Sequence, residues 1–388
     1  MATTKKKTTK KSVNKKKNSS KSGLKPFLIT VLALLLAAGI GLAVYILVIK
    51  GSSKKDDPSM HPLSSNQGEG ELVSINFLEL GNQFSGDCTF IKAGDVDILI
   101  DAGSRKSSVK TIKNTLNLYC KDNKLEYVIA THAHQDHIAG FLGTTTDAGI
   151  FDSYTIGTLI DFPRTNATSA IYKDYVAKRD ANIVEGKIEQ HYTANQCIKD
   201  ESGNRIVFNI AEKFSMTVLD QKYYYEKSSD ENNYSVCTLF THGNNNYLFT
   251  GDLEKEGEAS LVEMNQLPHC QLFKGGHHGS PTSNTDTLLS VIRPETVCIC
   301  CCAGNDEYTD NPLNQFPSQT AINNIAKYTD KIYVTTVSTD GHSGYTHLNG
   351  NILFYSRGLD YNVVGSNNSI ILKDTDWFKE NRTWPETI

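Results

Sequence analysis

The chain has 388 residues, 39% of them hydrophobic and 21% charged, with nine cysteines and a formal net charge of −4. This composition suits a folded protein with a sizeable core and excludes a fibrous or wholly disordered chain. The charge is polarised: residues 1–25 hold ten lysines and no acid, whereas from Asp56 onward 43 acids face 26 lysines and arginines, a formal −17. Such a body is a poor sequence-independent binder of polyanions, whose affinity rests on Lys and Arg.

Residues 26–49 (PFLITVLALLLAAGIGLAVYILVI) carry no charge and are long enough to cross a bilayer as a helix. The lysines before them keep the N-terminus in the cytoplasm and put the body outside. A cleaved signal peptide is the rival reading. The run is longer than a usual signal core, and Val48-Ile49-Lys50-Gly51 offers no small-x-small cleavage site. The chain is therefore expected to hold a Lys-rich cytoplasmic tail (1–25), an uncleaved transmembrane signal anchor (26–49), a flexible Ser/Gly/Pro-containing linker (50–70) and one folded domain (71–388).

In that domain 72–80, 88–91 and 96–103 read as strands, 106–122 as a helix and 126–130 as a short buried strand. A helix follows at 168–183. Strands and hairpins fill 205–252, with turn residues at GNNN. Helices at 254–264 and 318–328 frame strands in CQLFKGG and TVCICCC. Two sheets packed together and covered by helices fit this order. The run VCICCCAG (297–304) lacks the C-x-x-C spacing of a zinc site and reads as a buried strand of small apolar residues.

The chemistry concentrates in THAHQDHIAG (131–140), where His132, His134, Asp136 and His137 form H-x-H-x-D-H. Four metal-liganding side chains within six residues are hard to explain as solvated histidines. If the preceding strand continues, His132 and His134 point to one side, with Asp136 and His137 on the following turn. Similar positions recur at strand ends: Asp101 in LIDAG, Asp252 in FTGD, His277 and His278 in FKGGHHGS. Gly103 permits a tight turn beneath such a site.

The D-x-G, H-x-H-x-D-H, G-D and late-His elements, in this order, resemble the metallo-β-lactamase fold. The finer resemblance is to the ComEC type, the extracellular hydrolase domain of the competence DNA-uptake protein. FLELGNQFSGDCTFI (77–91), NNYSVCTLF (232–240), TGD, HHGS, NDEYTDNP (305–312) and a terminal Gly-containing hairpin in HLNGNILFYSRG (347–358) carry it, over roughly 71–373. Bacterial surface phosphorylcholine esterases share the double-His ending. The resemblance implies an α+β, four-layer αββα sandwich preceded by one transmembrane helix. It implies two divalent metal ions, zinc by default for a His-rich site, with manganese or iron open.

Carried over by residue, His132 and His134 would hold the first metal, Asp136 and His137 the second, and Asp252 would bridge them. One of His277 and His278 would ligate the second metal. The other would complete the first site or steady the transition state. Asp136 would also orient the attacking water, and Asp101 would orient a ligand histidine. Many members of the fold have one further His ligand between the H-x-H-x-D-H and the late His. Here His191 and His242 lie in that interval, and the double His is the better candidate.

The expected activity is hydrolysis of a phosphodiester, in DNA or in phosphorylated wall polymers, by a membrane-anchored extracellular enzyme of a Gram-positive-type bacterium. A non-catalytic surface scaffold, or a hydrolase of carboxylic esters or amides, are the alternatives. An acid at position 252 counts against a true β-lactamase.

Overall fold

The computed structural model describes residues 71–386. The expected tail, anchor and linker lie outside the described residues. Among the described residues no helix is long and apolar enough to cross a membrane.

The first sheet begins with β1 (Val73–Phe77), β2 (Thr89–Ala93), β3 (Val96–Ile100), β4 (Lys124–Ile129), β5 (Thr155–Asp161) and β6 (Ile188–Thr193). The second consists of β7 (Phe208–Ala211), β8 (Phe214–Val218), β9 (Thr238–His242), β10 (Asn245–Phe249), β11 (Leu272–Lys274), β12 (Val297–Ala303), β13 (Ile332–Thr339) and β14 (Gly344–His347). β15 (Ile352–Ser356) and β16 (Tyr361–Gly365) then return to the first sheet beside β1. The strand orders are β16-β15-β1-β2-β3-β4-β5-β6 and β14-β13-β12-β11-β10-β9-β8-β7.

Each sheet joins antiparallel hairpins to a run of parallel strands, β3 to β6 in one and β10 to β13 in the other. Parallel neighbours need crossovers, and helices supply them. In the first sheet these are α1 (Val109–Tyr119), α2 (Gln135–Leu142) with α3 (Ile150–Ser153), and α4 (Ala170–Val184). In the second they are α5 (Lys255–Met264), α6 (Asp286–Ile292) and α7 (Gln319–Ile325), with α8 (Asp376–Asn381) near the C-terminus. α1 buries Val109, Ile112 and Leu116, one stripe at helical spacing. The Ser169 hydroxyl caps α4 by accepting from the Tyr172 amide.

Strand alternation sorts the core into layers. Phe77 of the first sheet stacks on Phe249 of the second at 6.1 Å, and Tyr247 meets Phe354 edge-on at 5.1 Å. In β12, Cys298 and Cys300 join this inter-sheet layer, while Val297, Ile299, Cys301 and Ala303 pack with Leu261, Leu289, Ile292 and Ile322 of the covering helices. All nine cysteines are free and buried, so the cysteine-rich run is the core strand its composition suggests.

Two expectations are corrected. Asp136 and His137 lie in the first turn of a helix, α2, rather than on a turn. The stretch 347–358 is no hairpin: His347 closes β14 in the second sheet, and Ile352 opens β15 in the first. The terminal hairpin is β15–β16. β5, β6, α6, β13 and β16 fall in stretches to which the sequence reading gave no element.

Candidate metal centre

Liganding side chains gather at the carboxyl ends of the parallel strands, the edge where open α/β sheets place their ligands. Asp101 follows β3, Thr131 to His137 follow β4, Asp252 follows β10, and His277 and His278 follow β11. The turn after β3 docks α2 by backbone hydrogen bonds. The Ala102 amide donates to His137 O at 2.7 Å, and the Gly140 amide donates to Ala102 O at 2.6 Å. The Asp87 amide donates to Asp136 O at 3.0 Å. A Cβ on Gly103 would stand 1.5 Å from that same Asp136 oxygen, so only glycine lets the turn come this close.

Asp136, His137, Asp252 and His278 each offer a ligand atom within 4.8 Å of the others. His278 Nε2 is 3.2 Å from Asp252 Oδ2 and 3.3 Å from Asp136 Oδ2, and His137 Nε2 is 3.0 Å from Asp252 Oδ2. Beside them His132 Nε2 faces His134 Nδ1 at 3.0 Å, and the His132 and His137 rings lie 4.1 Å apart. Two nitrogens on one tetrahedral zinc, each at about 2.05 Å, sit about 3.3 Å apart. The observed spacings match ligands round a common ion. His278 Nε2 and Asp252 Oδ1 are buried without a hydrogen-bond partner, although carboxylate oxygens lie nearby.

The far sides of the rings are engaged. His137 Nδ1 donates to Asp101 Oδ2 at 2.8 Å, and His278 Nδ1 donates to the Cys300 carbonyl at 2.9 Å. The Thr131 hydroxyl gives its proton to Asp101 Oδ2 at 2.7 Å and lies 3.2 Å from His132 Nδ1, placed to accept from it. The Thr131 amide donates to Asp101 Oδ1 at 2.7 Å. Three rings thus have Nδ1 occupied and Nε2 turned into the cluster. That arrangement fixes tautomer and orientation in metal-ligating histidines.

The electrostatics ask for positive charge. Asp87, Asp101, Asp136 and Asp252 are all buried, against one buried ammonium, Lys274. Lys274 pairs with Asp87 and lies 3.9 Å from Asp252 Oδ1. Burial opposes charge on His137 and His278, yet Asp252 with Asp101 or Asp87 outweighs it and raises both well above the ordinary histidine range. Burial would raise Asp252, but His137 and His278 hold it well below the usual carboxylate range. Burial raises Asp101 against the opposing pull of His137. Burial, helped by His137 and His134, keeps His132 neutral and ready to ligate. The carboxylates therefore hold cationic charge here, as protons on histidine or as metal, and the donor set suits a divalent ion.

The adjacent histidines part company. Both have left-handed backbone, φ 46° and 52°. His278 points inward and is fully buried, whereas His277 Nδ1 pairs with Glu254 at 2.9 Å and its Nε2 stays 3.8 Å from Asp252. His191 pairs with Asp161 at 3.0 Å, and His242 is buried at the far end of β9, 3.4 Å from the Tyr247 hydroxyl. Neither joins the cluster. Asp87, Thr131, Glu254, Lys274 and Tyr308 went unassigned in the sequence reading. Lys274 carried a signal: Leu272 faces the inter-sheet layer, so a lysine two residues on in this strand points a charge inward. A cleft of about 380 Å³ opens beside His134 and Gln135, walled by Asn166, Ser169, Ile171 and Glu231.

Two helix-backed sheets with a His/Asp cluster at one shared edge define a class of metal-centre fold. The sequence model of the metallo-beta-lactamase superfamily matches residues 81–147, which contain Asp101 and the whole histidine run. Recombination protein 2 of Haemophilus influenzae is 31% identical over 108 residues, 28% of this chain and 13% of that protein. ComE operon protein 3 of Bacillus subtilis is 34% identical over 71 residues, 18% and 9% of the two chains. Competence protein ComA of Neisseria gonorrhoeae is 37% identical over 70 residues, 18% and 10%. The chain thus spans about a tenth of the length of the curated relatives it matches. On its fold, its motif order and these matches, the chain contains a metallo-β-lactamase-fold domain similar to part of these competence and recombination proteins.

Proposed function

We propose that this domain is a binuclear metal-dependent phosphodiesterase. The observation that carries the reading is the set of three histidines with Nδ1 engaged and Nε2 turned into the cluster, that of His132 toward His134 and those of His137 and His278 toward Asp252. Divalent cations at the centre would supply Lewis acidity to a water and to the phosphoryl oxygens alike. His132 and His134 would hold one ion. Asp136, His137 and His278 would hold the other, with Asp252 between them. Asp101 orients His137. Asp87 and Lys274 pack behind the cluster, and Lys274 offsets part of its negative charge. The cleft beside His134 receives the substrate next to the scissile bond.

The relatives, a recombination protein and a competence protein by name, favour DNA as substrate. With residues 26–49 as an anchor, the domain would act outside the membrane on DNA or a phosphorylated wall polymer. The test is hydrolysis of bis(p-nitrophenyl) phosphate by the metal-loaded full-length protein, followed by single-stranded DNA and p-nitrophenyl phosphorylcholine. Activity is expected, and the His132→Ala/His134→Ala variant should abolish it. Undiminished hydrolysis by that variant would sink the reading.

A further inference from the structure

The loop after β12 crosses to the edge of the first sheet. Glu307 pairs with Arg105 and accepts from the Ser85 amide at 3.2 Å. Its own amide donates to Asn305 Oδ1 at 2.8 Å. Arg105 is held in turn over the Phe84 ring at 3.9 Å. These contacts fix the next residue, Tyr308, whose hydroxyl donates to Asp136 Oδ2 at 2.7 Å. Its ring stacks on Phe316 at 5.2 Å, and Phe316 also packs against His277 and His278.

Tyr308 is placed unlike the other side chains that touch the cluster. Asp87, Asp101 and Lys274 are all at most 4% exposed and lie behind the ligands, whereas Tyr308 is 49% exposed. His277 also opens to solvent, but its Nδ1 is taken by Glu254. The phenol therefore stands at the rim of the cluster, half-exposed as a residue, with its O–H held on a proposed ligand oxygen. Its donor is neutral, rigidly carried and free to exchange one acceptor oxygen for another by rotation about its C–O bond.

We propose that Tyr308 donates a hydrogen bond to the leaving-group oxygen of the substrate. This rests on the phosphodiesterase reading above. In the step, water adds to phosphorus and the bond from phosphorus to the leaving oxygen breaks, its electron pair going to that oxygen. A proton from the attacking water ends on the leaving alcohol. The Tyr308 proton stays on the phenol throughout and stabilises charge as it develops. Such a donor matters most where the leaving oxygen is basic and carries more charge in the transition state.

The test compares two diesters of the same geometry, bis(p-nitrophenyl) phosphate and diphenyl phosphate, with the zinc-loaded full-length protein and its Tyr308→Phe variant. The variant should keep its zinc content. It should lose about 100-fold in kcat/KM on diphenyl phosphate and no more than about 5-fold on the nitrophenyl ester. An equal loss on both esters, or no loss on either, would overturn the assignment. Loss of zinc in the variant would overturn it too, since Tyr308 would then be a positioning residue for Asp136. If the unmodified protein cleaves neither ester, the phosphodiesterase reading itself falls, a result distinct from the other three.

Discussion

His277 and His278 are neighbours in sequence with separate environments, and the backbone separates them. Left-handed φ at both residues turns one ring to Glu254 and the other to Asp252 and Asp136. His278→Ala should therefore lose most of the metal held by the Asp136 group, while His277→Ala keeps it; elemental analysis of the two variants decides. Asp101→Asn should weaken metal affinity about 10- to 100-fold, because the amide cannot accept from Thr131 and His137 together as the carboxylate does. Competition with a chromophoric chelator measures this, and unchanged affinity would remove Asp101 from the centre. The candidate ligands could be picked out in the sequence because liganding chemistry is written in side-chain types. The partners that orient the rings could not. The Cys300 carbonyl is a group every residue possesses, and Thr131, although it adjoins the histidine run, carries no sign of which rings its hydroxyl will meet.

Among the elements, α2 depends on its seat against the turn after β3. Gly103→Ala forces a methyl into the Asp136 carbonyl, and Gly140→Ala puts one 2.5 Å from Ala102 O. Each overpacks a backbone contact that cannot yield, so Gly103→Ala should cost about 3 kcal/mol and lower Tm by about 5–10 °C. Thermal unfolding checks this, and an unchanged Tm would contradict the close docking.

The loop bearing His277 and His278 is braced from α5. Glu258 is fully buried and accepts from the Asn284 amide, the Thr285 amide and the Thr285 hydroxyl. Asn284 grips Gly276 on both sides, its Oδ1 accepting from the amide and its Nδ2 donating to the carbonyl. Burial pushes the Glu258 carboxyl up to about 7. The folded state then holds its proton more tightly than the unfolded chain. That stability is fully present below the unfolded pKa, near 4.5, and is lost as pH rises through about 7, with a ceiling of ~3 kcal/mol. The advantage in Tm of the natural chain over Glu258→Gln should shrink between pH 5 and pH 7.5. A difference independent of pH would contradict a raised Glu258.

Several strands with a buried apolar face could be read directly from the sequence, though β5 and β13, equally buried over much of their length, could not. β6 and β16 could not, because they are the edges of the first sheet and their side chains are mostly half-exposed or exposed. Residues 347–358 misled for another reason. An apolar–Gly–apolar pattern marks two strands, but which sheet each joins is decided by distant partners, β13 for one and β1 for the other.

At the scale of the molecule, the centre exists only because the two sheets meet. The first supplies Asp101 and the histidine run. The second supplies Asp252 and His278, and Val236 N donates to Thr131 O at 2.9 Å across the join. The acidic body, formally −17 from Asp56 onward, gives no general attraction for DNA, and on the proposed reading substrate is held by the centre and its cleft. Binding of single-stranded DNA should therefore depend on bound metal and fall when metal is stripped, as gel retardation before and after chelation would reveal. Equal binding in both states would point to a separate nucleic-acid surface. The most direct measurement is the metal content of the purified protein by elemental analysis. The account predicts two equivalents of divalent metal per chain, lost largely in His132→Ala/His134→Ala and in Asp252→Ala. A metal-free protein that stays folded and takes up no zinc or manganese, or an Asp252→Ala variant retaining both equivalents, would contradict it.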